Sequence, residues 1–301
     1  MLAATLKDAS AVSYPVLASP KYDGIRCVIR DGKAVARSLK PIPNVHMRAV
    51  LEALGRHAEG FDGELMLPYP ATFQAVESAV MSREKPPPDD WFFVVFDRVP
   101  VLPGEAFAAR VRDVRQTFKQ HGEAWKHVIE CRHVWIDAPE SLAAYEKEML
   151  AAGHEGVMLR ALEGPYKCGR ATLRQGYLSK LKRFTDSEAV IVAVLELQHN
   201  QNEAFVGELG QTKRRTLKAN KVDGGVMGKL VVRDLQTGVE FKIGTGIGLT
   251  WELRRRIFQC RDIMVGRIVR YRFQDHGRKD KPRIASFQGF RDPRDLDAPA
   301  I

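Results

Sequence analysis

The chain has 301 residues, 45% hydrophobic and 28% charged, enough for two buried cores, and no stretch reaches the length of a membrane span. Four scattered cysteines without a CxxC pair, and no clustered histidines, argue against a disulfide framework or a structural zinc site and fit reduced, intracellular thiols. The formal net charge is +10, which suggests a polyanionic partner such as nucleic acid. The excess is local: residues 180–283 hold 22 Lys and Arg against 12 Asp and Glu, so the rest of the chain sums to zero.

Taken in order, Ser19-Pro20-Lys21-Tyr22-Asp23-Gly24-Ile25-Arg26 sets a lysine before an Asp-Gly turn. A catalytic lysine must be desolvated or set beside other cations to lose its proton; read alone, the octapeptide fits a surface hairpin equally well. Residues 27–30 and 33–37 flank Asp31-Gly32 as a β-hairpin and put Lys21 at the mouth of a sheet. A helix is expected over 44–57, a turn feeding a strand over 60–67, a helix over 73–81, a Pro-rich loop over 85–90 and a buried strand over 91–97. Helices over 107–120 and 141–152 enclose a β-rich stretch at 129–136. Residues 153–160 repeat an acidic glycine turn before an apolar strand.

An apolar run at 189–195 opens a region of short strands, so a domain boundary is placed near Asp186. Residues 198–228, polar, basic and poor in apolar side chains, read as a long flexible insertion. Strands at 229–232, 239–243 and 267–273 suggest a small barrel, with a helix over 251–260 whose Arg254-Arg255-Arg256 reads as a solvated face. The N-terminus lacks a basic segment leading into an apolar run, so cytoplasmic placement, with no membrane, is expected.

Five motifs follow one another: Lys21-Tyr22-Asp23-Gly24-Ile25-Arg26, Asp62-Gly63-Glu64, an aromatic strand ending Val95-Phe96-Asp97, Glu155-Gly156-Val157-Met158-Leu159-Arg160 and Lys180-Leu181-Lys182. In this order they resemble the nucleotidyltransferase motifs of ATP-dependent DNA ligases of the small phage and bacterial type. The likeness covers residues 19–182 well and is looser towards the carboxy terminus. It implies an α+β chain: an ATP-grasp-like nucleotidyltransferase domain with antiparallel sheets and flanking helices over 1–186, then an OB-fold β-barrel over 187–301 with a basic insertion at about 198–228.

The resemblance also implies roles. Lys21 would attack the α-phosphorus of ATP, with Lys180 and Lys182, on one side of a strand, contacting the phosphate. Glu64 would accept from the ribose hydroxyls, Phe96 would stack on adenine, and Glu155, with Glu64, would bind Mg²⁺. Arg26 and Arg37 would hold the AMP ribose and the 5′-phosphate of a nick, with Tyr22 beside the nucleotide and Lys40 near the DNA backbone. Ser19 stands where a family member can carry an acidic residue contacting the adenine amine, a departure that leaves base selectivity open. Alternatives stand beside these roles: an exposed strand face for Lys180 and Lys182, an ordinary surface carboxylate for Glu64 or Glu155, a core position for Phe96, and a solvated loop for Lys40.

In the second domain, Lys213, Arg214, Arg215, Lys218 and Lys221 would bind DNA and close the insertion around it, although a plain solvated loop competes. Arg283 and Arg291, with Lys279 and Lys281 nearby, would reorient pyrophosphate, but the spacing around Pro282-Arg283 departs from the family pattern. The expectation is a monomeric enzyme sealing nicks in double-stranded DNA with ATP and Mg²⁺. Only 20 residues precede Lys21, too few for the extra domain that reads NAD⁺. RNA ligases and capping guanylyltransferases share the chemistry, and a non-catalytic OB-fold binder is the rival from another class.

Overall fold

A computed structural model of the chain describes residues 1–6, 8–274 and 280–292; Lys279 lies outside them. It divides into two compact units. One is Met1–Lys182 with Val206–Gln211; the other is Arg183–Phe205 with the described residues from Thr212 onward. Among the described residues no helix is long and apolar enough to cross a membrane.

Through Lys182 the elements are β1 (Ala4–Leu6), β2 (Val16–Pro20), β3 (Ile25–Arg30), β4 (Lys33–Ala36), α1 (Val45–Glu52), β5 (Phe61–Met66), α2 (Phe73–Met81), β6 (Phe92–Arg98), α3 (Phe107–His121), β7 (Val128–Glu130), β8 (Val134–Ile136), α4 (Pro139–Ala151), β9 (Gly156–Ala161) and β10 (Leu178–Lys182). They build two largely antiparallel sheets, ordered β4-β3-β5-β6-β7 and β1-β10-β9-β2-β8.

Strand alternation assigns the faces. In β3, Cys27 and Ile29 enter a core with Phe61, Leu65 and Phe93, closed by Met47 and Leu51 of α1 and Val76 and Val80 of α2, while Arg26 points the other way. Each such large apolar side chain stabilises the unit by about 1.5–3 kcal/mol on burial. The β3–β4 hairpin turns at Asp31 and Gly32, both at positive φ (53° and 69°), as a two-residue turn matched to strand twist requires. Asn44, fully buried, caps α1 by accepting from the His46 and Met47 amides. That helix ends at Glu52, short of its expected end, because Gly55 turns to φ 67° and a 3₁₀ turn follows.

The second sheet packs Val16, Ala18, Leu159 and Leu181 against Leu142, Tyr145 and Met149 of α4. The β-rich stretch at 129–136 is two strands in different sheets: β7 lies parallel to β6, and β8 antiparallel to β2. The chain therefore crosses from one sheet to the other at Cys131.

Beyond residue 183 come β11 (Thr185–Asn200), β12 (Ala204–Val206), β13 (Thr212–Arg214), β14 (Lys221–Asp234), β15 (Glu240–Ile243), α5 (Trp251–Gln259), α6 (Arg261–Met264), β16 (Ile268–Gln274) and β17 (Arg283–Arg291). The sheet order is β15-β14-β11-β16-β17. A parallel bridge from Gly246 to Phe287 brings the segment after β15 onto β17 and curls the sheet towards closure, around Ile191, Leu230, Val232, Ile243 and Tyr271. Five strands with helices between the third and fourth in chain order, β15 and β16, are the layout of an OB-like barrel.

Two expectations need correction. Residues 198–228 are not an irregular loop: β11 and β14 stay paired out to Asn200 and Lys221, and β12 and β13 form a two-stranded sheet beyond them. Most of that ribbon is exposed, so it pairs through backbone hydrogen bonds and shows no apolar alternation to read. Arg254 is not a solvated side chain. Its guanidinium donates to the carbonyls of Met227 (3.1 Å), Gly228 (3.3 Å), Gly244 (2.6 Å) and Leu249 (3.2 Å), tying α5 to the sheet. Its neighbours Arg255 and Arg256 pair with Glu252 on the exposed face.

Candidate active site

A cavity of about 270 Å³ in the first unit is lined from both sheets: Ser19, Lys21, Tyr22, Arg26, Arg37, Glu64, Phe96, Met158, Arg160 and Lys180 all face it. Lys21 follows directly on β2, and its amide donates to the Gly156 carbonyl at 2.9 Å. Gly156 must be glycine. It sits at φ 151°, and a Cβ there would come within 2.2 Å of the Leu181 carbonyl oxygen. This close passage of β9 against β10 brings Glu155, Lys21 and Lys182 together.

Glu155 is 5% exposed and holds both cations. One carboxylate oxygen pairs with Lys21 Nζ and the other lies 3.4 Å from Lys182 Nζ. Lys180, two residues before Lys182 on β10, faces the cavity, and its ammonium titrates below its ordinary value, through burial first and then through the charges of Lys182 and Lys21. The site thus concentrates positive charge where a polyphosphate would neutralise it.

Across the cavity, Arg26 of β3 and Glu64 of β5 are register partners. Burial pushes the Glu64 carboxyl up to about 7, against the opposing pull of Arg26 and Lys21. Arg26 lies over the Phe96 ring, 4.8 Å from its centroid. Gly24 lets the turn close down on β5, since a Cβ there would lie 2.2 Å from the Leu65 carbonyl oxygen.

Motif reading missed the groups that fix these side chains. Asp62, fully buried, takes Arg26 through Nε and a terminal nitrogen and accepts from Tyr166 at 2.8 Å. Asp97, also fully buried, takes Arg110 Nε at 2.8 Å and Arg160 at 2.6 Å, and Arg160 stands at the cavity wall. Asp62 lies two residues before Glu64 and Asp97 follows Phe96, so alternation could have flagged the first; their partners are distant in sequence and could not have been found.

Arg37 lines this cavity and also a larger one of about 1160 Å³ in the same unit. Lys40 lies outside both linings. Lys213, Arg214, Arg215 and Lys218 are exposed on the ribbon, and Lys221 is half-buried where β14 begins. In the second unit Arg291 pairs with Glu188, and Arg283 begins β17.

Among the described residues no three His, Cys, Asp or Glu side chains gather as a metal cage. Mg²⁺ takes one or two carboxylates and completes its shell with water and substrate phosphates. Glu155, a buried carboxylate whose oxygens both sit on cations, and Glu64 at the cavity fit as those ligands.

The family model described as ATP dependent DNA ligase domain matches residues 1–182, and the DNA ligase OB-like domain matches 221–291. The chain belongs to the ATP-dependent DNA ligase family. Its fold is that family's nucleotidyltransferase domain followed by an OB-like domain. A curated relative named a probable DNA ligase, from Streptomyces avermitilis, is 29% identical over 255 residues, covering 78% of this chain and 45% of the relative. The chain therefore spans about half that relative's length. Among solved structures, Chlorella virus DNA ligase-adenylate is 34% identical over 97% of both chains with a TM-score of 0.57. A structure described under Lig E DNA ligases shares the fold at 24% identity, covering 96% of this chain and 98% of its own, with a TM-score of 0.69.

Proposed function

We propose that this family member seals 5′-phosphate/3′-hydroxyl nicks in duplex DNA, using ATP and passing through a lysyl-AMP intermediate. The observation that carries the reading is Lys21 at the cavity wall beside Lys180, Arg26, Glu64 and Phe96, with its ammonium paired to Glu155. Lys21 Nζ, once deprotonated, attacks the α-phosphorus; the bond to the bridging oxygen breaks and pyrophosphate leaves. Lys180 and Lys182 offset charge gathering on the phosphate oxygens, and Lys180's ammonium pKa is lowered by burial first and then by the neighbouring cations. Glu64 accepts from the ribose hydroxyls, and Phe96 offers the base a flat apolar face. Glu155 and Glu64 would hold Mg²⁺, which would supply charge neutralisation on the phosphates.

In the second step an oxygen of the DNA 5′-phosphate attacks the same phosphorus and the Lys21–phosphorus bond breaks. In the third the 3′-hydroxyl attacks the 5′-phosphate and AMP leaves. Arg37, at both cavities, suits the 5′-phosphate because a guanidinium grips two oxygens at once. The domains proposed are 1–186 for adenylation and 187–301 for the OB-fold. The basic ribbon, with Lys213, Arg214, Arg215, Lys218 and Lys221, binds the duplex backbone, and Arg283 and Arg291 act on pyrophosphate.

The test is incubation with α-labelled ATP or GTP, then with nicked duplexes carrying DNA or RNA at the 3′-hydroxyl side. Label from ATP on the protein, chased into sealed DNA, is expected. Label from GTP alone would replace this reading with a capping-type guanylyltransferase.

A further inference from the structure

Among the described residues of the stretch 198–225, only Asn202 and Gly207 are buried. Asn202, 1% exposed, follows β11 and belongs to the second unit. In a ribbon mostly open to water, an enclosed amide is tolerated only where hydrogen bonds offset its desolvation. Its Nδ2 donates to the Leu217 carbonyl at 2.9 Å and to Asn200 Oδ1 at 2.7 Å, and its backbone amide donates to that same Oδ1 at 3.1 Å. Asn200 Nδ2 in turn donates to the Arg215 carbonyl at 3.0 Å, and Arg214 donates to the Asn202 carbonyl at 2.5 Å.

Residues 215–217 lie between β13 and the short turn that opens β14, and they belong to no strand. The two asparagine side chains take the place of a ladder there, engaging the carbonyls on either side of Thr216. This segment carries Arg215 and is flanked by Arg214 and Lys218, all exposed. Left loose, it would lose backbone freedom on meeting a polyanion and would bind more weakly for the same number of charges.

We propose that Asn202 is a positioning residue for DNA binding: by tying Leu217 and Asn200 together, it holds the cations of residues 214–218 in a set arrangement before the duplex arrives. The proposal rests on the reading of the ribbon as a duplex-binding element. Charge and prior order are separable quantities. The number of phosphates neutralised sets the slope of log K against log salt. Ordering the segment in advance leaves that number unchanged and raises K at every salt concentration.

The measurement is a fluorescence anisotropy titration of nicked duplex with the full chain, repeated across a salt series. Asn202→Ala is expected to weaken binding about tenfold at each salt concentration and to keep the wild-type slope, whereas changing Lys213, Arg214, Arg215 and Lys218 to serine lowers the slope itself. In the DNA-free protein, trypsin should cut at residues 214–218 about tenfold faster in Asn202→Ala than in the wild type, because cleavage follows the population of the open segment. Asn200→Ala, which removes the tie to Arg215 and the acceptor for Asn202, decides the matter if Asn202→Ala does not fold. Wild-type affinity in the variant, a wild-type cleavage rate, or weaker binding with a reduced slope overturns the proposal. A four-serine variant with the wild-type slope is a different result, and it removes the DNA-binding reading of the ribbon itself.

Discussion

Asp62 holds Arg26 in a bidentate pair while Tyr166 donates to the same carboxylate at 2.8 Å, so the guanidinium over Phe96 is set before any nucleotide arrives. Burial pulls the Asp62 carboxyl up, but Arg26, by charge and hydrogen bond, outweighs it and keeps it below the ordinary carboxylate value. Stability from this group is therefore present above the unfolded carboxylate range and lost as pH falls through the folded value. Asp62→Ala leaves the partly buried Arg26 without its carboxylate and should cost about 3 kcal/mol. Urea unfolding at pH 7 checks it, and the deficit relative to wild type should shrink in acid.

Glu64 titrates in the opposite sense. Its folded carboxyl is raised by burial to about 7, so its protonated form is the one favoured by folding. That contribution is complete below the unfolded value and is lost as pH rises to about 7. In the wild type, Tm measured in chelator without nucleotide should decline across that window. Glu64→Gln should flatten the decline and leave the variant the more stable protein at pH 8, while weakening ATP capture.

Lys182 shares Glu155 with Lys21. Removing it takes one of the two cations from Glu155, and Lys182→Ala should slow adduct formation from ATP by on the order of 10². Single-turnover labelling at saturating ATP measures this; an unchanged rate would leave Lys182 only its pairing with Glu155.

The ribbon carries exposed Lys213, Arg214, Arg215 and Lys218. Changing these four to serine should reduce the slope of log K against log salt for nicked duplex by roughly 3–4, about 0.9 for each phosphate no longer neutralised. Adduct formation from ATP should be unaffected. Fluorescence anisotropy titrations between low and moderate salt would show it.

Much of the site could be named before any coordinates because its groups stand at strand ends, where chemistry and pattern coincide. Lys21 follows the end of β2, Glu155 precedes β9, and Lys180 and Lys182 alternate on β10; one cavity and one carboxylate draw them together. Asp97 with Arg160 and Asp62 with Tyr166 were invisible because each pair spans 63 or more residues, and no local period links such partners. The ribbon was misread for the opposite reason: a strand pair that buries little has no apolar rhythm, and its signal lies entirely in backbone pairing. Arg254 looked solvated beside two arginines that are, since nothing local tells that four carbonyls surround it.

Lys21, in the reaction proposed above, carries AMP to the nick. The most direct measurement is labelling of wild type and Lys21→Ala with α-labelled ATP, followed by sealing of a nicked duplex. The wild type should form an acid-labile protein–AMP adduct that chases into sealed DNA. The variant should form none and still bind the duplex, because the charge excess lies in residues 180–283. A labelled adduct on Lys21→Ala would contradict this role and place the nucleophile elsewhere.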